Sequence, residues 1–119
     1  MKTNNIFICM LFTLIVSSCA QKQEGKHLFI LSGQSNMVGL NPKESFIPTI
    51  NKKFGVDNVI TVKYAKGSQP IRRWYKNWKQ LEGNEPKAEP YLYDSLMTKV
   101  NTAIENEKIA TITFIWMQG

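Results

Sequence analysis

The chain has 119 residues, 43% of them hydrophobic, with a formal charge of +6 at pH 7. The hydrophobic share excludes disorder as the default state, and the length fits one small domain. It leaves no room for a large α/β sheet with helices on both faces, and neither an internal repeat nor a low-complexity segment is present.

The N-terminus reads as an address rather than part of the fold. Lys2 supplies a positive start, Ile6 to Val16 is a nearly unbroken apolar run, and Val16-Ser17-Ser18-Cys19 comes next. The run is too short to span a membrane and has the length of a signal-peptide core. Small residues before a cysteine resemble the bacterial lipobox, which implies lipidation at Cys19; a plain secretory signal cut near Ala20 and a short anchor are the alternatives. The expected division is a signal peptide over 1–18, a polar tether over 19–26 and a domain over 27–119. Lipid on Cys19 would hold the domain to a membrane surface of the cell envelope. Cys9 leaves with the signal, so no disulfide is expected. No cysteine–histidine cluster has metal-ligand spacing, so neither metal nor cofactor is expected. Processing removes only Lys2 among the charges, leaving about +5.

In chain order, His27 to Ser32 reads as a buried strand. Asn41-Pro42-x-Glu44 has the pattern of a helix start, and Pro48 allows only short helical turns before Gly55. Asn58 to Tyr64 is β-branched and reads as a second strand. Gln69 to Pro90 is long, irregular and proline-rich, which argues for a functional loop. Leu92, Leu96, Val100, Ala103 and Ile104 form one helical face behind Pro90, a core-packing helix. Ile109 to Trp116 is the third strand, and the strand–loop–helix–strand order predicts an α/β fold with a parallel sheet and right-handed crossovers.

The chemistry centres on Phe29-Ile30-Leu31-Ser32-Gly33-Gln34-Ser35-Asn36-Met37-Val38-Gly39. An apolar strand stopping at a turn places Ser35 at the carboxyl end of a strand, where open α/β sheets bind ligands. Asn36 can cap or orient the turn, and Gly39 permits a close approach. The same residues also suit an ordinary polar loop. The lipase-type Gly-x-Ser-x-Gly elbow is excluded, because Met37 stands two residues after Ser35.

Gly33-Gln34-Ser35-Asn36-Met37-x-Gly39 resembles the first signature block of the sialate O-acetylesterase-like esterases, the carbohydrate esterase family 6 branch of the SGNH (GDSL) hydrolases. Tyr64-Ala65-Lys66-Gly67-Ser68-x-x-Ile71-x-x-Trp74 resembles the second block, and Phe114-Ile115-Trp116-Met117-Gln118-Gly119 the start of the third. The resemblance implies a flavodoxin-like three-layer α/β/α sheet and an exported esterase. Its substrate would be an acetylated carbohydrate such as sialic acid or xylan. It implies Ser35 as nucleophile, with Gln34, Asn36, Gly67 and Gln118 around the oxyanion and substrate; Ser35 and Gly67 would offer backbone N–H groups.

The acid and base are missing from this sequence. The family's Asp-x-x-His has no counterpart: Asp57 and Asp94 lack a histidine at that spacing. His27, the single histidine, stands eight residues before Ser35 on an extended strand, roughly 25 Å away, and reads as a surface residue. The third block stops at Gly119, so the chain reads as the N-terminal half of an esterase with little triad-dependent hydrolysis expected. A second class of function is a non-catalytic, glycan-binding lipoprotein stacking sugars on Trp74, Tyr75 and Trp78. Cations alternate with aromatics from Ile71 to Lys79, a pattern that also suits nucleic acid. An exported lipoprotein rarely meets nucleic acid, so no such partner is expected.

Overall fold

The computed structural model describes residues 24–118. The expected signal peptide over 1–18, Cys19 and Gly119 lie outside the described residues. Three strands, β1 (Lys26–Gly33), β2 (Val59–Ala65) and β3 (Ile109–Met117), form one all-parallel sheet in the order β2-β1-β3. The domain is therefore a small α/β unit. Lys26, assigned to the tether on sequence, already belongs to the sheet.

β1 is central because its sequence tolerates burial on both faces. Six consecutive residues from Leu28 to Gly33 are buried, and the side chains alternate between two apolar layers. Leu28 and Ile30 join Val62 and Trp74 in a core completed by Leu92, Leu96 and Val100 of helix α3 (Tyr91–Ala103). On the opposite face Phe29 meets Phe46 edge-on at 5.7 Å and Phe54 at 5.9 Å, both from helix α2 (Phe46–Phe54). Each fully buried leucine on this strand contributes roughly 1.5–3 kcal/mol. Helices thus cover both faces of β1, although the sheet is only three strands wide.

α3 forms as its four-residue spacing predicts, with Pro90 at its N-cap position. The helix start expected at Asn41 is not where α2 begins. Asn41 instead closes a turn, accepting from the Lys43 N–H at 3.2 Å and donating to Glu44 at 3.0 Å. α2 begins at Phe46 and carries Pro48 in its first turn, where a missing N–H costs no helical bond. His27, expected at the surface, is half-buried: its ring lies 4.2 Å from that of Phe54, and Nδ1 lies 2.7 Å from Thr111 Oγ1. It serves as a packing and cross-strand residue at the amino end of β1.

Candidate active site

All three strands run in one direction, so their carboxyl ends meet along one edge of the sheet. In register, Gly33 stands opposite Ala65 on β2 and Met117 on β3. Ser35, Gly67 and Gln118 each come one or two residues after one of these neighbouring ends. The chain steps from β1 to β2 on one side and returns to β3 on the other. That reversal opens the crevice where sheets of this kind take ligands.

Gly33 is what lets the turn close. Its φ is +141°, and a Cβ there would stand 2.1 Å from the Met117 carbonyl oxygen. Only glycine fits so near that backbone. The chain then turns sharply: the Gln34 N–H donates to Met117 O at 2.9 Å, and Ser35 opens the five-residue helix α1 (Ser35–Gly39). Met37 of α1 is fully buried and anchors it, while Ser35 and Asn36 are exposed. The close approach expected at Gly39 is absent; a Cβ there would meet nothing within 4 Å.

Gly67 lies beside the serine. A side-chain carbon built on it would sit 3.9 Å from both Cα and Cβ of Ser35, in ordinary contact. The peptide before it is pinned, since the Lys66 N–H donates to Gly33 O at 3.1 Å. Gln34 turns its side chain away from the serine and donates to the Gln69 carbonyl. Gln118 is exposed just past β3. Ser35 and Gly67 are therefore neighbours, with room for about one methyl group between them, Gln34 braces the neighbouring loop, and Asn36 and Gln118 are exposed at the strand ends.

Four residues that the sequence did not single out complete the surroundings. Buried Ser32 donates to Tyr64 O at 2.7 Å, tying the ends of β1 and β2 together. Gln69, Arg73 and Tyr91 share a polar cluster in which Arg73 donates to Gln69 Oε1 and, at 3.0 Å, to the Tyr91 hydroxyl. A glutamine two residues past a turn glycine was the available signal, because that spacing suits a side chain closing on nearby backbone.

Trp74 is a core residue, 6% exposed, packed edge-on against Tyr64 at 5.8 Å and Trp116 at 5.2 Å. Little of its ring is exposed, so the aromatic platform expected of a glycan-binding lipoprotein has one of its three members in the core. The cations of this stretch are engaged within the fold: Arg72 with Glu89 at 3.2 Å, Lys76 with Asp94 at 2.7 Å. No three His, Cys, Asp or Glu gather to hold a metal ion among the described residues. Comparisons with protein-family models, with curated proteins and with solved structures found no match.

Proposed function

We propose that the chain is the nucleophile-bearing part of an SGNH-type carbohydrate O-acetylesterase, exported and held to the cell envelope by lipid on Cys19. The observation that carries this reading is that Gly67 lies beside Ser35 at the carboxyl ends of adjacent strands, a Cβ on it standing 3.9 Å from the serine. Strand order β2-β1-β3 supports it too, being the opening order of flavodoxin-like sheets. In the reaction, Ser35 Oγ bonds to the acetyl carbonyl carbon while the bond to the sugar oxygen breaks. The serine proton goes to a base and on to the leaving sugar hydroxyl, and a water then releases acetate. The N–H groups of Ser35 and Gly67 would be the donors to the oxygen that becomes negative in between. Gln118 and Asn36 border the sugar, and Gln34 supports the loop beside it.

His27 cannot act as the base, lying at the opposite end of β1 and engaged with Thr111. The sequence has no second histidine, so the test supplies the base as free imidazole. The full chain is mixed with an aryl acetate and millimolar imidazole, and the Ser35 peptide is weighed. Imidazole-dependent acetylation that disappears in Ser35→Ala supports the reading. Acetylation elsewhere, or none at Ser35, overturns it. Gly67→Ala sharpens the result: the fold has room for that methyl group beside Ser35, yet the oxyanion space is filled, so acetylation should fall about 10²-fold.

A further inference from the structure

We propose that Gln69 is the positioning residue of this site, the group that fixes the Gly67 peptide beside Ser35. The inference rests on the esterase reading for its purpose, but its geometry stands apart from it. Four polar groups meet Gln69, one from its own turn and three from further along the chain or from another strand end. Its Nε2 donates to Gly67 O at 3.1 Å. Its Oε1 accepts from Arg73 Nη1 and from the Tyr91 hydroxyl, the latter at 3.4 Å. Its own carbonyl accepts from Gln34 Nε2, one residue before the serine. With a cation on one side of the carboxamide and a carbonyl on the other, the amide has a single sensible orientation.

The consequence falls on two peptide groups. The Lys66 N–H is held by Gly33 O and the Gly67 carbonyl by Gln69, so the Gly67 N–H between them is fixed from both sides. Ser68, the exposed next residue of the same turn, sits at φ 55°, a left-handed conformation that a non-glycine residue keeps only when its surroundings hold it. Tyr91 is the first residue of α3, so the clamp fastens the turn after β2 to a rigid helix. Arg73 belongs to the short 3-10 turn Ile71–Arg73 inside the long loop. That loop's structured start therefore acts on the site through Gln69.

The test is backbone amide relaxation by NMR in the full chain, with Gln69→Ala, Gln69→Glu and Arg73→Lys. In the parent chain the Gly67 and Ser68 amides should have rigid order parameters near about 0.85, falling below about 0.6 in Gln69→Ala. Gln69→Glu keeps an acceptor for Arg73 and Tyr91 but loses the donor to Gly67 O. It should retain the parent melting temperature and still loosen Gly67, whereas a residue that only braces the loop would be rescued on both counts. Arg73→Lys removes the guanidinium fork without removing its charge and should give an intermediate loss. Protection of the Lys66 amide from exchange reports that each variant is folded. Unchanged Gly67 and Ser68 order in a folded Gln69→Ala overturns the proposal. Failure of Ser35 acetylation in the parent chain, with these order parameters as expected, overturns the esterase reading and leaves the clamp intact.

Discussion

The two strands that flank β1 are similar in composition and opposite in situation. β2 has Val62 buried and its remaining residues half-buried, with α3 and α2 lying against it. β3 is the more apolar sequence, IATITFIWM, yet its centre is open: Ile112 is 65% exposed and Phe114 56%. Apolar content alone therefore does not decide burial in a parallel sheet; what stands across each face does. β2 also carries a charge, Lys63, whose ammonium donates to the Val38 carbonyl at 3.0 Å and to that of Leu40, closing α1. β3 has no charge along nine residues, the kind of edge that proteins ordinarily blunt. The covered flank builds the candidate site, and the open flank supports it through Met117 and Trp116.

The most severe test of this contrast lies where the flanks meet β1. Gly33→Ala should unfold the domain or cost about 4 kcal/mol or more, because the new methyl group has the Met117 backbone in its way. Gly39→Ala, in open space, is the control and should be near neutral in the same thermal melts. A Gly33→Ala chain that melted like its parent would mean that β3 does not close on the turn as described.

Next in size is a comparison of single truncations. Leu28→Ala, at a position 1% exposed, should cost about 3 kcal/mol, whereas Ile112→Ala should cost under about 1 kcal/mol. Equal costs would mean that something covers β3 in solution. A smaller effect concerns the hollow of about 510 Å³ between α3 and β3, walled by Trp74, Trp116, Phe114, Leu96 and Met97. An exposed apolar surface of this kind should bind a hydrophobic dye, and Phe114→Ser should lower that fluorescence with little change in melting temperature. Unchanged dye binding would move the exposed surface away from β3.

How far the sequence carries this fold depends on the same division. The three strands and α3 are legible within a residue or two, because β-branched runs and four-residue spacing report backbone form directly. The motif resemblance names Ser35 and Gly67, and their proximity arises from two strand ends lying side by side. Long-range partners are not legible. Trp74 reads as a platform in a basic, aromatic loop, but burial against Tyr64 and Trp116 depends on residues up to 42 positions away. Gln69 has no local pattern strong enough to announce three partners. Gly33 reads as a turn former, whereas its hard constraint comes from Met117, 84 residues further on.

The smallest expected effect belongs to the covered flank, where Lys76 ties the long loop to α3. Its ammonium donates to Asp94 at 2.7 Å and lies 4.8 Å from the Tyr93 ring. The hydrogen bond to Asp94 is the largest influence and raises its pKa above the ordinary lysine value of 10.5; loss of hydration opposes it, and the attractions of the Asp94 carboxylate and of Tyr93 add to the rise. A raised pKa in the folded state means that the contribution is present below the ordinary lysine value. It disappears as pH climbs through the raised one. Both side chains are more than half exposed, so Lys76→Met should leave the melting temperature at pH 7 within experimental scatter, and added salt should remove any remainder. The sensitive reading is the Lys76 ammonium titration measured by NMR, which should fall back toward 10.5 in Asp94→Asn. A titration that did not move would show that loop and helix do not meet at this point, leaving the Gln69 clamp as the tie between them.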